Sequence, residues 1–282
     1  MVSDNNIDSK VISDFGDEWA EFGYSTNQSY SELALQFQRY SELVNFKDFA
    51  PASSIAADFG AGTGRWAQFI LENFKNTWLV EPSAGAFEVL KNKFLNNQKV
   101  ILENTTISKC SIPRESLDFA MSLGVLHHIS DTAQAFKDIN LKLKQNGLFL
   151  GYLYYKVEDK PLLYRLIFAS ANILRKRVSV LPFKLKKKIS WVIAVLVYVP
   201  LARVSKLLNL MRINTTNIPL HQYADLSLYM MKNDALDRFG TKLEKRYNQV
   251  EITKLLLDSG FSPTSIKFST SEPFWTFVAK KS

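Results

Sequence analysis

Apolar and polar positions alternate along this chain in a regular succession of short buried runs and longer helical faces. From Ser54 a short apolar run ends in the acid Asp58 before a glycine-rich turn, and Trp66 through Phe74 repeats apolar residues at helical spacing. Thr77–Glu81 reads as a second strand ending in an acid, Ala84–Asn96 as a helix and Lys99–Glu103 as a third strand. A fourth strand begins near Ser116, a helix covers Thr132–Leu143, and Leu148–Tyr155 is a fifth strand. Helix Glu251–Ser259, strand Pro263–Ser269 and strand Phe274–Lys280 complete the pattern. Strands alternating with helices in this way predict an α/β fold, doubly wound around a mostly parallel sheet of seven strands.

Two stretches stand outside that alternation. Residues 1–50 predict an N-terminal helical cap, with an aromatic cluster at Phe15, Trp19 and Phe22 and a helical repeat from Ser31 to Phe49. Residues 156–246 interrupt the alternation before the final hairpin, which gives four segments: a cap at 1–50, a core at 51–155, an insertion at 156–246, and a closing helix and hairpin at 247–282. Within the insertion, the apolar run Ile189–Ala202 is 14 residues long and contains Pro200. A bilayer crossing needs about 20 residues, so the run reads either as a packed cap helix or as a helix lying in a membrane interface. The returning segment, Pro219 to Gly240, mixes polar, aromatic and charged residues and reads as a loop for substrate contacts.

Charge sharpens the picture of the insertion. The chain of 282 residues carries a net charge of +8, and 12 of its 35 Lys/Arg fall between Lys160 and Ala224, where there is no Asp or Glu. The basicity belongs to one segment, which implies an anionic partner; an anionic membrane surface met by residues 160–212 suits its Leu/Val/Ile content. Nucleic acid is not expected, because no exposed aromatic platforms accompany the basic residues. A single cysteine, Cys110, excludes an intramolecular disulfide, and three histidines offer little for a metal site, so no metal is expected. Met1–Lys10 is polar and acidic rather than a secretory leader, so cytoplasmic residence, with peripheral attachment to the inner face of the membrane, is the expectation.

The chemistry concentrates at D-F-G-A-G-T-G, Asp58 to Gly64. A dinucleotide fold wants its third glycine at position 65, which is arginine here, so a nicotinamide enzyme is disfavoured. The run resembles motif I of the class I S-adenosylmethionine (SAM) methyltransferases. The stretch Ser116 to Asp131, with S-L-D-F and G-V-L-H-H-I-S-D, resembles the same superfamily more specifically, and the stretch that begins at Lys144 resembles its K-x-G-G-x-L signature with Asn146 for the first glycine. F-G-D-E-W at Phe15–Trp19 and the stretch from Asn233 to Arg246 look like methyltransferases of bacterial polysaccharide loci. The resemblance implies a Rossmann-like core with SAM as cofactor, held by Asp58, Gly60, Ala61, Gly62, Gly64, Trp66, Glu81, Pro82, Thr106, Leu123 and Gly124. Glu81 ends the second strand, where a carboxylate can accept both ribose hydroxyls. The family commonly places an acid just after the third strand for the adenine amino group; Asn104–Ser108 holds none.

Histidine accepts protons near neutral pH, which makes His127, His128 and His221, with Tyr223, the candidate catalytic groups. The expected activity is O-methylation of a saccharide or lipid-linked glycan. C-methylation of a membrane quinone precursor and a non-catalytic, membrane-docking scaffold of the same fold remain open beside it.

Overall fold

The computed structural model describes residues 27–269 and 274–282, in two compact units. The first combines the chain up to Tyr155 with Lys245–Ser282, and the second is Lys156–Glu244. The aromatic cluster expected at Phe15, Trp19 and Phe22 lies outside the described residues.

The first unit is built on a seven-stranded sheet in the order β3-β2-β1-β4-β5-β7-β6. Its strands are β1 (Ile55–Phe59), β2 (Asn76–Val80), β3 (Val100–Glu103), β4 (Leu117–Leu123), β5 (Leu143–Tyr154), β6 (Lys267–Phe268) and β7 (Phe274–Lys280). β1 to β5 pair in parallel and β7 runs antiparallel to both β5 and β6. Helices α1 (Asn27–Tyr40), α2 (Ala84–Phe94), α3 (Thr132–Lys142) and α8 (Gln249–Asp258) accompany it; α4 to α7 belong to the second unit. Phe136, Ile139, Ile252 and Leu256 from α3 and α8 join Phe149, Leu153 and Phe277 of the sheet in one core cluster. Leu90 and Phe94 of α2 join Leu71 and Leu79 in a second. Strands buried on both faces need helices on both, which is why the central strands are continuously apolar.

Three expectations for this unit change. Trp66–Phe74 is not an α-helix but two 3-10 turns, Ala67–Phe69 and Leu71–Asn73. A 3-10 turn rises about 2.0 Å per residue against about 1.5 Å, so a nine-residue crossover can run back along the length of β1, which an α-helix of that length would not reach. The strand expected at Pro263–Ser269 contracts to Lys267–Phe268 behind a 3-10 turn at Pro263–Ser265, because Pro263 has no N–H to give the ladder. The helix expected from Ser31 to Phe49 ends at Tyr40, and only Phe46–Asp48 turns again. Asn146, where the signature wants glycine, has φ +61, a conformation asparagine tolerates better than other side chains.

The second unit contains α4 (Leu162–Val178), α5 (Phe183–Ile193), a π-helical turn Ala194–Tyr198, α6 (Val199–Leu210) and α7 (Leu228–Gly240). The apolar run is not cut at Pro200. That residue stands just after the π-helical turn Ala194–Tyr198, whose wider hydrogen-bonding pattern accommodates its missing N–H, and the helix is continuous from Phe183 to Leu210, 28 residues. The segment expected as a substrate loop is largely helix too. Ser227 caps α7, accepting from the Met230 N–H, and Met230, Met231, Ala235, Leu236 and Phe239 bury one face. Asp234, Asp237 and Arg238 obscure that periodicity in the sequence.

Candidate cofactor site

The glycine loop leaves the carboxyl end of β1, beside β4, where the sheet order changes direction and open α/β sheets bind ligands. Gly60, Gly62 and Gly64 have φ of +75, +57 and +72. The loop is tied to β2 twice over. Gly60 and Ala61 donate their N–H groups to the Val80 carbonyl at 2.8 and 3.1 Å, and Gly62 N–H donates to Glu81 Oε2 at 2.8 Å. The other Glu81 oxygen, Oε1, accepts from Ser83 N–H at 2.8 Å, while Asn104 Nδ2 holds the Glu81 carbonyl at 2.8 Å. Glu81 is buried, and burial lifts its pKa to about 7 against the pull of the Ser83 and Gly62 N–H groups.

The two sequence motifs interlock at Gly60. A Cβ there would stand 2.6 Å from both methyls of Val125, and Ser122 Oγ donates to the Phe59 carbonyl at 2.9 Å. Val125 and Ser122 were not among the expected site residues; their signal was only their place in the fourth-strand stretch. Gly64 answers to packing instead, since its Cβ would meet the Phe94 ring at 2.3 Å and Leu90 Cδ1 at 2.7 Å. Gly64→Ala is therefore expected to cost about 2 to 4 kcal/mol of stability, from overpacking and left-handed strain. Gly124→Ala, with φ +80 but its nearest neighbour at 3.7 Å, should carry the strain alone. Equal denaturation midpoints for the two variants would contradict the assignment.

Asp58 is the group that asks for a ligand. It is 1% exposed, and its Oδ2 has no hydrogen-bond partner among the described residues. Burial, then the charge of Glu81, raise its pKa to about 8, with Arg65 opposing. A buried carboxyl with an idle oxygen beside a loop of positive φ fits a cationic ligand group. Glu81, whose oxygens each keep a lone pair, fits a diol. SAM carries both, so these residues fit the cofactor that the resemblance implies.

The other expected cofactor contacts take varied places. Ala61 is buried within the loop and Pro82 is half-buried between Glu81 and Ser83. Leu123 pairs with Tyr152 at the end of β4, and Gly124 follows it. Trp66 packs with α1, its ring 6.3 Å from Phe37 and 5.3 Å from Tyr40, under the Arg65 guanidinium at 4.5 Å. Thr106 orders its own loop, its carbonyl accepting from Lys109 and Cys110 at 3.2 and 3.0 Å. Glu103, the acid nearest that loop, accepts from the Ser111 N–H at 2.9 Å and is engaged there.

His127 and His128 sit in a 3-10 turn just beyond β4, with ring centroids 4.1 Å apart. His127 is wholly buried and stacks on Tyr154 at 3.8 Å, while Arg246 lies 5.0 Å over the other ring system of that stack, Tyr154. Burial, then the charges of His128 and Arg246, hold the His127 pKa well below 6.5, with the Tyr152 backbone opposing. Tyr154 and Arg246 escaped the sequence reading because they lie on opposite sides of the insertion. His221 and Tyr223 belong to the second unit. His221 Nδ1 lies 3.1 Å from the Ile218 carbonyl, and the Tyr223 hydroxyl donates to Asp234 within that unit's core. The structure thus brings His127 and His128 together beside the β4 end and gives Tyr223 a packing partner of its own.

Sheet order, the reversed β7 and a glycine loop at the switch point define the Rossmann-like fold of the class I methyltransferases. Residues 57–149 match the family described as a methyltransferase domain. An uncharacterised methyltransferase from Geobacillus sp. (strain WCH70) is 26% identical over 116 residues, 41% of this chain and 53% of that protein. One from Geobacillus kaustophilus (strain HTA426) is 28% identical over 124 residues, 42% and 54% respectively. The chain spans about half the length of these curated relatives. Among solved structures, the 1,6-didemethyltoxoflavin N1-methyltransferase of Burkholderia thailandensis, with bound 1,6-didemethyltoxoflavin and S-adenosylhomocysteine, has a TM-score of 0.54 at 13% identity, covering 97% of this chain and 88% of that one. A SAM-dependent methyltransferase from Thermotoga maritima has 0.50 at 15% identity, covering 95% and 100%.

Proposed function

We propose that this chain is a SAM-dependent methyltransferase, directed to a hydroxyl of a saccharide or lipid-linked glycan. The observation that carries the first part is the idle, buried Asp58 carboxyl beside a glycine loop fastened to Glu81. When bound, SAM supplies a methyl group on a sulfonium, already activated for in-line displacement. The chain's own work is to bind and orient. Asp58 offers a carboxylate to the cationic part, Glu81 accepts from the diol, and the loop backbone approaches closely because its glycines carry no Cβ. Positioning of this kind is worth several kcal/mol of barrier. A hydroxyl acceptor also profits from a proton acceptor. His127, whose pKa burial holds well below the ordinary value and whose ring is stacked on Tyr154, accepts poorly, which favours His128 for that role.

The saccharide or lipid-linked glycan reading is supported by the resemblance to polysaccharide-locus enzymes and by the apolar, basic surface of the second unit. The test is methyl transfer from isotope-labelled SAM into fractionated extracts of cells lacking the protein. Label is expected in a glycan or glycolipid fraction; label confined to quinones would replace that acceptor class with the membrane quinone. Folded protein that binds neither SAM nor S-adenosylhomocysteine would remove the methyltransferase reading altogether.

A further inference from the structure

The second unit turns some of its polar side chains inward while leaving large apolar ones exposed. Along the continuous helix of α5, the π-helical turn and α6, the positions facing the unit's interior are Lys186, Ser190, Ala194, Tyr198, Ala202 and Ser205, spaced four, four, four, four and three apart. The outward positions combine exposed lysines and Arg203 with large apolar side chains: Leu196 is 69% exposed, Leu207 60% and Leu210 74%. On α4, Leu162 and Leu163 are 69% and 70% exposed, while Arg175 is turned inward, donating to the carbonyls of Thr241 and Lys242 at 2.9 and 3.1 Å. Lys186 likewise donates to the Gly240 carbonyl at 3.2 Å. Buried Arg238 keeps a raised pKa: burial opposes its charge, but Tyr198, Glu244, Tyr223 and Asp234 around it favour the charge more. Soluble helices bury their apolar stripe and expose their polar one. Here Arg175 and Lys186 find carbonyl partners inside, and no described part of this unit covers the leucines.

We infer that this face docks on an anionic bilayer, with the exposed side chains of α4, α5 and α6 entering the boundary between headgroups and acyl chains. Charge selects the occupant. The segment from Lys160 to Ala224 holds 12 Lys/Arg and no acid, so a second copy meeting this face about a twofold axis would set like charges against each other. Lipid phosphates complement them, and the cytoplasmic leaflet carries that negative potential.

The helix lies along the surface rather than through it. Phe183–Leu210 is long and apolar enough for a crossing, but Lys184, Lys187, Lys188, Arg203 and Lys206 confine its uncharged stretch to residues 189–202. Such a stretch is about 21 Å long, against a hydrocarbon core of about 30 Å. α7 packs along α5 and brings Lys232, Asp234, Asp237 and Arg238 with it, a poor companion at bilayer depth.

The test is flotation of the full chain with vesicles of phosphatidylglycerol and phosphatidylethanolamine, beside vesicles of phosphatidylcholine alone; it needs neither SAM nor an acceptor, so it stands or falls apart from the methyltransferase reading. The chain should float with the anionic vesicles at low salt. The triple variant Leu196→Ser, Leu207→Ser, Leu210→Ser should lose about tenfold in partitioning at an unchanged melting temperature, because those side chains are solvent-exposed. The pair Lys184→Glu, Lys188→Glu should lose about tenfold as well, through the electrostatic part. Failure to float at low salt, or flotation unchanged in the triple variant, would overturn the inference. So would resistance of the membrane-bound protein to alkaline carbonate, which marks a spanning helix, or a self-associated state in solution that the triple variant abolishes while no vesicle binds.

Discussion

Glu81→Ala is expected to weaken S-adenosylhomocysteine binding by about a hundredfold in titration calorimetry, which corresponds to about 3 kcal/mol. The carboxylate accepts from Gly62 N–H and Ser83 N–H, both at 2.8 Å, in a buried setting. Hydrogen bonds to a charged group each contribute about 1.5–3 kcal/mol, so removing two loosens the loop that must wrap the ligand, before any ligand contact is counted. Glu81→Gln separates the two effects. Its amide oxygen can still accept one N–H, but its amino group faces the other, so an intermediate loss is expected. Glu103→Ala, whose carboxylate accepts from Ser111 one strand away, serves as the control and should change affinity little. Calorimetric affinity equal to that of the unaltered chain in Glu81→Ala, measured well below its melting temperature, would refute the site.

The second large effect is in protons. With its pKa raised from 3.8 to about 8, Asp58 is mostly protonated at pH 7 in the ligand-free chain. A cationic ligand group beside it favours the carboxylate, so binding at pH 7 should release about one proton. Calorimetry in buffers of differing ionisation heat measures that number directly, and it should fall toward zero by pH 9. The same shift sets the stability. Between pH 3.8 and about 8 the folded state holds a proton that the unfolded chain has released, so ligand-free stability is highest at the acid end of that window and declines as pH rises through it. Glu81, raised to about 7, adds to the decline in the same direction. Asp58→Asn should flatten the pH profile of the melting temperature and abolish most of the proton release. A binding heat that does not depend on the buffer at pH 7 would count against Asp58 as the cationic subsite.

Much of the core was legible in the sequence because parallel strands buried on both faces are continuous apolar runs, and each ended in the residue that matters: Asp58 near the end of β1, Glu81 after β2, Leu123 ending β4. The 3-10 crossover was not, since Trp66, Ile70 and Phe74 keep a helical spacing while the length they must span decides the geometry. Nor could spacing reveal that Val125 fills the place of a Gly60 side chain, or that Tyr154 stacks on His127 with Arg246 over the tyrosine ring. α7 was read as a loop for a related reason. Its acids and Arg238 face partners inside its own unit, where a periodicity test expects apolar residues.

The two ends of the second unit leave and rejoin the sheet at one seam. Tyr155 bridges Tyr247, Arg246 Nη1 donates to the Tyr155 carbonyl at 3.1 Å, and Tyr247 N–H to that of Tyr154 at 2.9 Å. Topologically the whole second unit is therefore a graft: strand register from β1 to β7 is closed by bonds it does not supply. A lineage could exchange or shed such a unit without re-pairing a strand, and a cofactor fold of this kind could acquire a new address or a new acceptor while its loop at Asp58–Gly64 stays as it is. At this seam Lys245 N–H also holds the His127 carbonyl at 2.9 Å, so the join that admits the graft also fixes the histidine turn.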